Sequence, residues 1–332
     1  MKNIRTKRNS TVEGLRILSM FLIIMFHFCG RGLGLFDINS YSAVNLGGAN
    51  DNALLQLVMH SLGQLGVPIF LFISGYYGIH FKANRLKDII IQCFLYTFIF
   101  YIFFCLFVPE IRSFRASVLQ MFGMSQLWFV YSYIVLYLFS DGINHVLDKL
   151  SFKQYTMIVL LLLYITTGLW IAKAGGTNIL IMLEYYTIAR YVRKYMSEKW
   201  KGRMAWFTFP ALIMFLTPVF IGCFTNHVVG IQPYVNKYFN PFLLLLSMTL
   251  VVSADMIKTY SKPVNYIASS MLAVYMIHES FYLPILVRPL FGFEEYNFMR
   301  ICGVIIMIIL AAVATDKLRL QITTKIFNKI SL

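Results

Sequence analysis

The chain has 332 residues, of which 59% are hydrophobic, 17% aromatic and only 13% charged, and its mean hydropathy is +0.69. A soluble domain of this size carries about twice that charged fraction, so the composition excludes a water-soluble globular enzyme. The net charge of +15 comes without any basic soluble module, which excludes the usual form of a nucleic-acid binder.

The apolar residues come in long blocks divided by short polar loops, the pattern of an all-α, polytopic integral membrane protein. In chain order the segments are 13–31, 54–80, 89–108, 127–141, 154–172, 178–192, 204–222, 240–257, 264–287 and 299–316. They form one transmembrane domain over 1–332, with no internal repeat and no low-complexity tract. The first is followed by no small-residue cleavage site, so it reads as a retained helix. Segments 127–141 and 178–192 are near the shortest length that crosses roughly 30 Å of hydrocarbon. If the N-terminus is cytoplasmic, 21 of the 29 lysines and arginines fall in inner loops and tails and seven in outer ones. That asymmetry predicts about ten transmembrane helices with both termini cytoplasmic. Most of the positive charge then faces anionic lipid heads. The five cysteines (Cys29, Cys93, Cys105, Cys223 and Cys302) show no metal-ligand spacing and read as small apolar filler.

Ionisable residues inside these segments are costly in hydrocarbon and therefore informative. In the first, RILSMFLIIMFH, Arg16 and His27 stand eleven positions apart. On a helix that is three turns plus about 20°, with an axial separation of about 16 Å. One face therefore carries a cation near the inner end and an imidazole in the outer half. A snorkelling arginine plus a packing histidine is the plainer alternative. His60 lies on the approach to the glycine-rich stretch GVPIFLFISGYYG and reads as structural. Within that stretch Pro68 is placed to bend the helix, and Ser74-Gly75 permits close helix approach or a local break. The loop that follows carries Lys82, Arg85 and Lys87, which suit a phosphate-bearing cytosolic ligand or the membrane surface equally. Trp128 opens the fourth segment as an aromatic-belt residue. Glu184 is a buried carboxyl in the sixth. The ninth, SSMLAVYMIHES, puts His278 and Glu279 at a depth similar to His27. Tyr275 and Tyr282 flank His278 on one helix face, so a polar chamber is predicted between the first and ninth helices. Two unrelated buried polar sites are the alternative.

Together these stretches resemble the membrane-bound acyltransferase-3 family. The family's first helix carries an arginine, ten residues and a histidine, as Arg16 and His27 do, after a lead-in similar to Glu13-Gly14-Leu15. Val67-Pro68-Ile69-Phe70 through Ser74-Gly75 resembles its second helix. Leu127-Trp128-Phe129 and Tyr275-Met276-Ile277-His278 resemble its later motifs. The likeness runs in order from about residue 10 to 316. One departure is Lys82-Ala-Asn-Arg85, followed by Lys87, where many members have Arg-x-x-Arg. The extra soluble extracellular domain of some members is not expected here.

The resemblance implies a bacterial O-acyltransferase of the cytoplasmic membrane. Its donor would be cytosolic acyl-CoA, usually acetyl-CoA, with no metal. Its acceptor would be a hydroxyl of an envelope glycan or a lipid-linked sugar precursor. On this reading Arg16, Arg85, Lys87 and Lys82 meet the donor's phosphates, and the pantetheine arm runs along the Arg16–His27 face. His27 is a general base on the acceptor hydroxyl, suited because imidazole ionises near neutrality, or else a transient acyl carrier. His278, with Glu279 or Tyr275, orients the acceptor or stabilises developing charge. Ser74, Trp128 and Glu184 support the substrate or the structure. The competing classes are a transporter or flippase of a glycan or acyl intermediate, and a glycan polymerase. The polymerase predicts a large arginine-rich outer loop, whereas the longest outer loop, 32–53, has no arginine.

Overall fold

The computed structural model describes residues 8–32, 52–107, 127–168, 179–225, 238–279 and 298–330. The predicted loop 32–53 and the end of the ninth segment, including Tyr282, lie essentially outside them. The described residues form helices and no strand. In order these are α1 (Ser10–His27), α2 (Asn52–Gly63), α3 (Gly66–Tyr77), α4 (Ala83–Phe107), α5 (Trp128–Lys149), α6 (Phe152–Leu163), α7 (Ile179–Tyr195), α8 (Glu198–Thr225), α9 (Pro241–Met256), α10 (Lys262–Ala268), α11 (Met271–His278) and α12 (Phe298–Ile330). Phe28–Gly32 and Tyr164–Gly168 extend α1 and α6 as π-helical turns.

Local chemistry sets several starts. The Asn9 side chain accepts from the Thr11 amide at the head of α1, and Ser151 with Gln154 forms a capping box at the head of α6. Asn240 caps α9, with Pro241 at its first position, where a missing N–H costs nothing.

The described part of each apolar segment falls on a helix, and two of them are two-piece. The sequence placed the bend of the second at Pro68. The break comes earlier, at Gln64 and Leu65, whose amides bond the Ser61 and Leu62 carbonyls at 3.2 and 3.1 Å. Pro68 has no N–H for the Gln64 carbonyl, so the helix stops and restarts as α3. The ninth segment is likewise split at Ser269 and Ser270, between α10 and α11.

Among the described residues, four helical stretches are long and apolar enough to cross a membrane: Ser10–Gly30, Leu54–Tyr77, Glu198–Thr225 and Phe298–Thr323. The first two are 61% and 78% buried within the protein, the last two only 28% and 33%. Accordingly α1 is central and touches α2, α3, α9, α10, α11 and α12. The outer helices α8 and α12 turn Trp206, Phe209, Phe224 and Met307 outward, as lipid-facing residues require. At Ser74-Gly75 the structure takes the close-approach option: a Cβ on Gly75 would lie 2.8 Å from the Ala189 methyl of α7.

Polar contacts gather one set of helix ends. Ser10 at the start of α1 donates its amide to the Thr259 carbonyl at 2.9 Å and accepts from the Ser261 amide at 2.6 Å. Asp255 accepts from Tyr77 at 2.7 Å and Arg193 at 2.8 Å. Arg190 donates to Asp148 at 3.0 Å, and Asn144 to the Ile79 carbonyl at 2.7 Å. These are the segments in which the sequence concentrates its positive charge.

Candidate active site

The face of α1 that carries Arg16 and His27 leads from this gathered end into the bundle. Arg16 donates to Glu13, one turn back, at 3.2 Å. His27 is the last α-helical residue before the π-helical turn, a backbone irregularity frequent at functional sites.

α11 brings the partner groups. His278 closes that helix and Glu279 follows it, 251 residues along the chain from His27. His27 Nδ1 lies 3.1 Å from His278 Nε2 and 2.8 Å from Glu279 Oε2. Glu279 Oε2 is also 3.8 Å from His278 Nε2. His278 Nδ1 donates to the Val274 carbonyl at 2.9 Å, and this bond fixes the tautomer, leaving Nε2 as the acceptor when the ring is neutral. The His278 and Glu279 side chains are 1% and 2% exposed, whereas His27 keeps 17%. Of the three, His27 is thus the group a substrate reaches.

His278 stands at the C-terminal end of α11, where a helix carries partial negative charge, and the Glu279 carboxylate lies beside both imidazoles. The arrangement is an imidazole hydrogen-bonded through Nδ1 to His278 with a carboxylate oxygen 2.8 Å from the same nitrogen, a geometry suited to a base. The ligand atoms of the three residues lie within 4.8 Å of one another, so the set also has the composition of a two-histidine, one-carboxylate metal site.

Further groups enclose the cluster. The Tyr275 ring meets His278 edge-on at 5.5 Å. Tyr238 lies within electrostatic reach of Glu279, and its ring touches Trp128 at 5.9 Å, so Trp128 borders the site at one remove. His60, fully buried, lies in the field of His27 and stacks on Phe26 at 4.7 Å.

A ladder of rings joins the cluster to the gathered helix ends. Phe129, Tyr133 and Tyr137 recur every four residues on one stripe of α5. Ring contacts run Phe81 to Tyr137 at 5.7 Å, Tyr137 to Tyr133 at 6.4 Å, Tyr133 to Phe129 at 6.1 Å and Phe129 to Tyr275 at 5.4 Å. The Tyr275 and His278 rings then meet, and His278 meets His27 at 5.3 Å. Tyr133 sits beside the Ser74 hydroxyl and in the field of both Arg16 and Arg85.

The structure therefore brings His27, His278, Glu279 and Tyr275 together, and converges Arg16, Arg85 and Ser74 on Tyr133. Lys82, Arg85 and Lys87 are all exposed. Glu184 is buried but outside the histidine cluster, beside Thr166 of the second π-helical turn. Phe129, Tyr133, Tyr137 and Tyr238 were missed in the sequence. The four-residue spacing of the first three in QLWFVYSYIVLYL is the signal that the sequence offers for them.

A family model described as an acyltransferase domain, Acyl_transf_3, matches residues 9–317. No curated protein and no solved structure matches the chain.

Proposed function

The chain belongs to the acyltransferase-3 family, and on that premise we propose that it is a membrane O-acetyltransferase. It moves an acetyl group from cytosolic acetyl-CoA to a hydroxyl of a cell-surface glycan or its lipid-linked precursor. It crosses the bacterial cytoplasmic membrane about ten times, with both termini inside. The gathered helix ends, rich in lysine and arginine, form its inner face. The observation that carries the reading is His27 Nδ1 held 2.8 Å from Glu279 and 3.1 Å from His278, at the head of a ring-lined path from the inner face.

Acetyl-CoA enters from the inner side. Arg16 and Arg85 meet its phosphates, and the slender thioester arm follows Tyr137, Tyr133 and Phe129 to the histidines. His27 Nε2 removes the proton of the acceptor hydroxyl as that oxygen attacks the thioester carbonyl. Glu279 and His278 hold Nδ1–H and balance the imidazolium that forms. The tetrahedral intermediate collapses with cleavage of the C–S bond, and the proton passes from Nε2 to the departing thiolate. The products are the acetyl ester and free coenzyme A. His27, His278 and Glu279 could also hold a divalent ion, but in this scheme their close contacts carry a proton.

The test is the acetyl content of the surface glycan, read by NMR and mass spectrometry in cells with the wild-type gene, a deletion and His27→Ala. Loss of acetyl esters in both altered strains, with the glycan itself retained, is the expected result. Normal acetylation by a membrane-inserted His27→Ala protein refutes the assignment. Loss of the whole glycan on deletion, with no effect of His27→Ala, points to transport.

A further inference from the structure

A pocket opens among the gathered helix ends, at the end of α3. Its cavity of about 360 Å³ lies in the range of roughly 300–1,000 Å³ common for small-molecule sites. Tyr76 and Tyr77 of α3 line it, with Arg190, Arg193 and Lys194 of α7. None of Phe81, Phe129, Tyr133 and Tyr137 of the ring-lined path is among the residues lining this pocket.

Its charge is not balanced. Asp148 is the one carboxylate in the lining, and it pairs with Arg190 at 3.0 Å. Lys194 donates to the backbone carbonyls of Leu147 and Asp148 at 3.3 and 3.0 Å, which leave its full charge uncompensated. Arg193 reaches Asp255 at 2.8 Å, but the same carboxylate holds Lys258 at 2.6 Å, so one anion serves two cations. The pocket thus carries an excess of about two positive charges, matching the −1.5 to −2 of a phosphate monoester near neutral pH. The Arg193 side chain is 48% exposed and presents its guanidinium fork over the Tyr76 ring at 4.9 Å, a geometry suited to phosphate. The backbone is shaped around these cations: Gly78 has φ of +76°, and a Cβ there would collide with the Arg190 guanidinium.

We propose that this pocket binds the phosphate monoester group of a ligand at the inner face, held by Arg193 and Lys194, with the tyrosines as its wall. Two sources offer that group, a soluble nucleotide and a lipid of the phosphatidic acid type. The purified full-length protein in detergent is titrated with adenosine 3′,5′-bisphosphate and, separately, with short-chain phosphatidic acid. Adenosine and short-chain phosphatidylcholine are the controls. At least one phosphate probe binds, more weakly as salt rises, and Lys194→Gln and Arg193→Gln each weaken it about tenfold, the worth of one charge-assisted hydrogen bond. Binding of only one probe identifies the source, and binding of both shows that the phosphate group itself is recognised. Lys194→Gln breaks no ion pair, so it decides the matter if Arg193→Gln misfolds. Binding of neither probe, or wild-type affinity in the folded variants, overturns the proposal. Both variants leave Arg16 and Arg85 intact, so wild-type affinity in Lys194→Gln and Arg193→Gln counts against this pocket alone and leaves the acyltransferase reading standing.

Discussion

Replacing Glu279 by glutamine keeps the shape of the cluster and removes its charge. With Oε2 2.8 Å from His27 Nδ1, a unit charge interacts with an imidazolium by about 6 kcal/mol at an effective dielectric near 20. In the proposed scheme His27 accepts the proton, so the carboxylate acts mainly on the transition state, in which the proton is part-way to Nε2. Two-thirds of that interaction is about 4 kcal/mol, or roughly a thousandfold in rate, inside the range of about 10²–10⁴ that a positioned base contributes. The assay is transfer of radiolabelled acetyl from acetyl-CoA into glycan by inside-out membrane vesicles, with protein amounts matched by immunoblot. Glu279→Gln is expected to lower kcat by about 10³ and leave KM for acetyl-CoA nearly unchanged. A variant that folds and transfers within a few-fold of the wild type shows that the carboxylate charge does not support His27.

The ring ladder predicts a different signature. Tyr133→Leu and Arg16→Ala raise KM for acetyl-CoA by about tenfold while kcat falls less, since they remove binding shared by ground and transition states; equal effects on donor and acceptor parameters contradict a donor path. Gly75→Val drives its side chain into Tyr186 and Ala189 and prevents α3 from seating on α7, so the protein is lost from the membrane or melts at a markedly lower temperature; a normal melting curve refutes that contact. Prolonged treatment with a chelator leaves transfer unchanged if the histidines and Glu279 work as a proton relay. Loss of activity restored by zinc assigns them to a metal instead.

The helices and the face of α1 were legible in the sequence, because both follow from local rules. Runs of apolar residues long enough for hydrocarbon announce helices whatever their neighbours. A spacing of eleven aligns Arg16 with His27 on any helix. The break before Pro68 also has a local cause, the missing N–H, although the sequence reading placed it at the proline and not at Gln64 and Leu65. What no local rule contains is which faces meet. His27 and Glu279 touch across 251 or more residues because α1 sits at the centre of the bundle and α11 ends beside it, a choice made by the packing of all the helices together. The same packing placed Tyr133 in the field of Arg16 and Arg85, turned Phe129 rather than Trp128 toward Tyr275, and set Arg190, Arg193 and Lys194 around one cavity. Composition and period depend on each helix alone and were readable in one dimension. The site depends on distances between helices, and those exist only once the chain has folded.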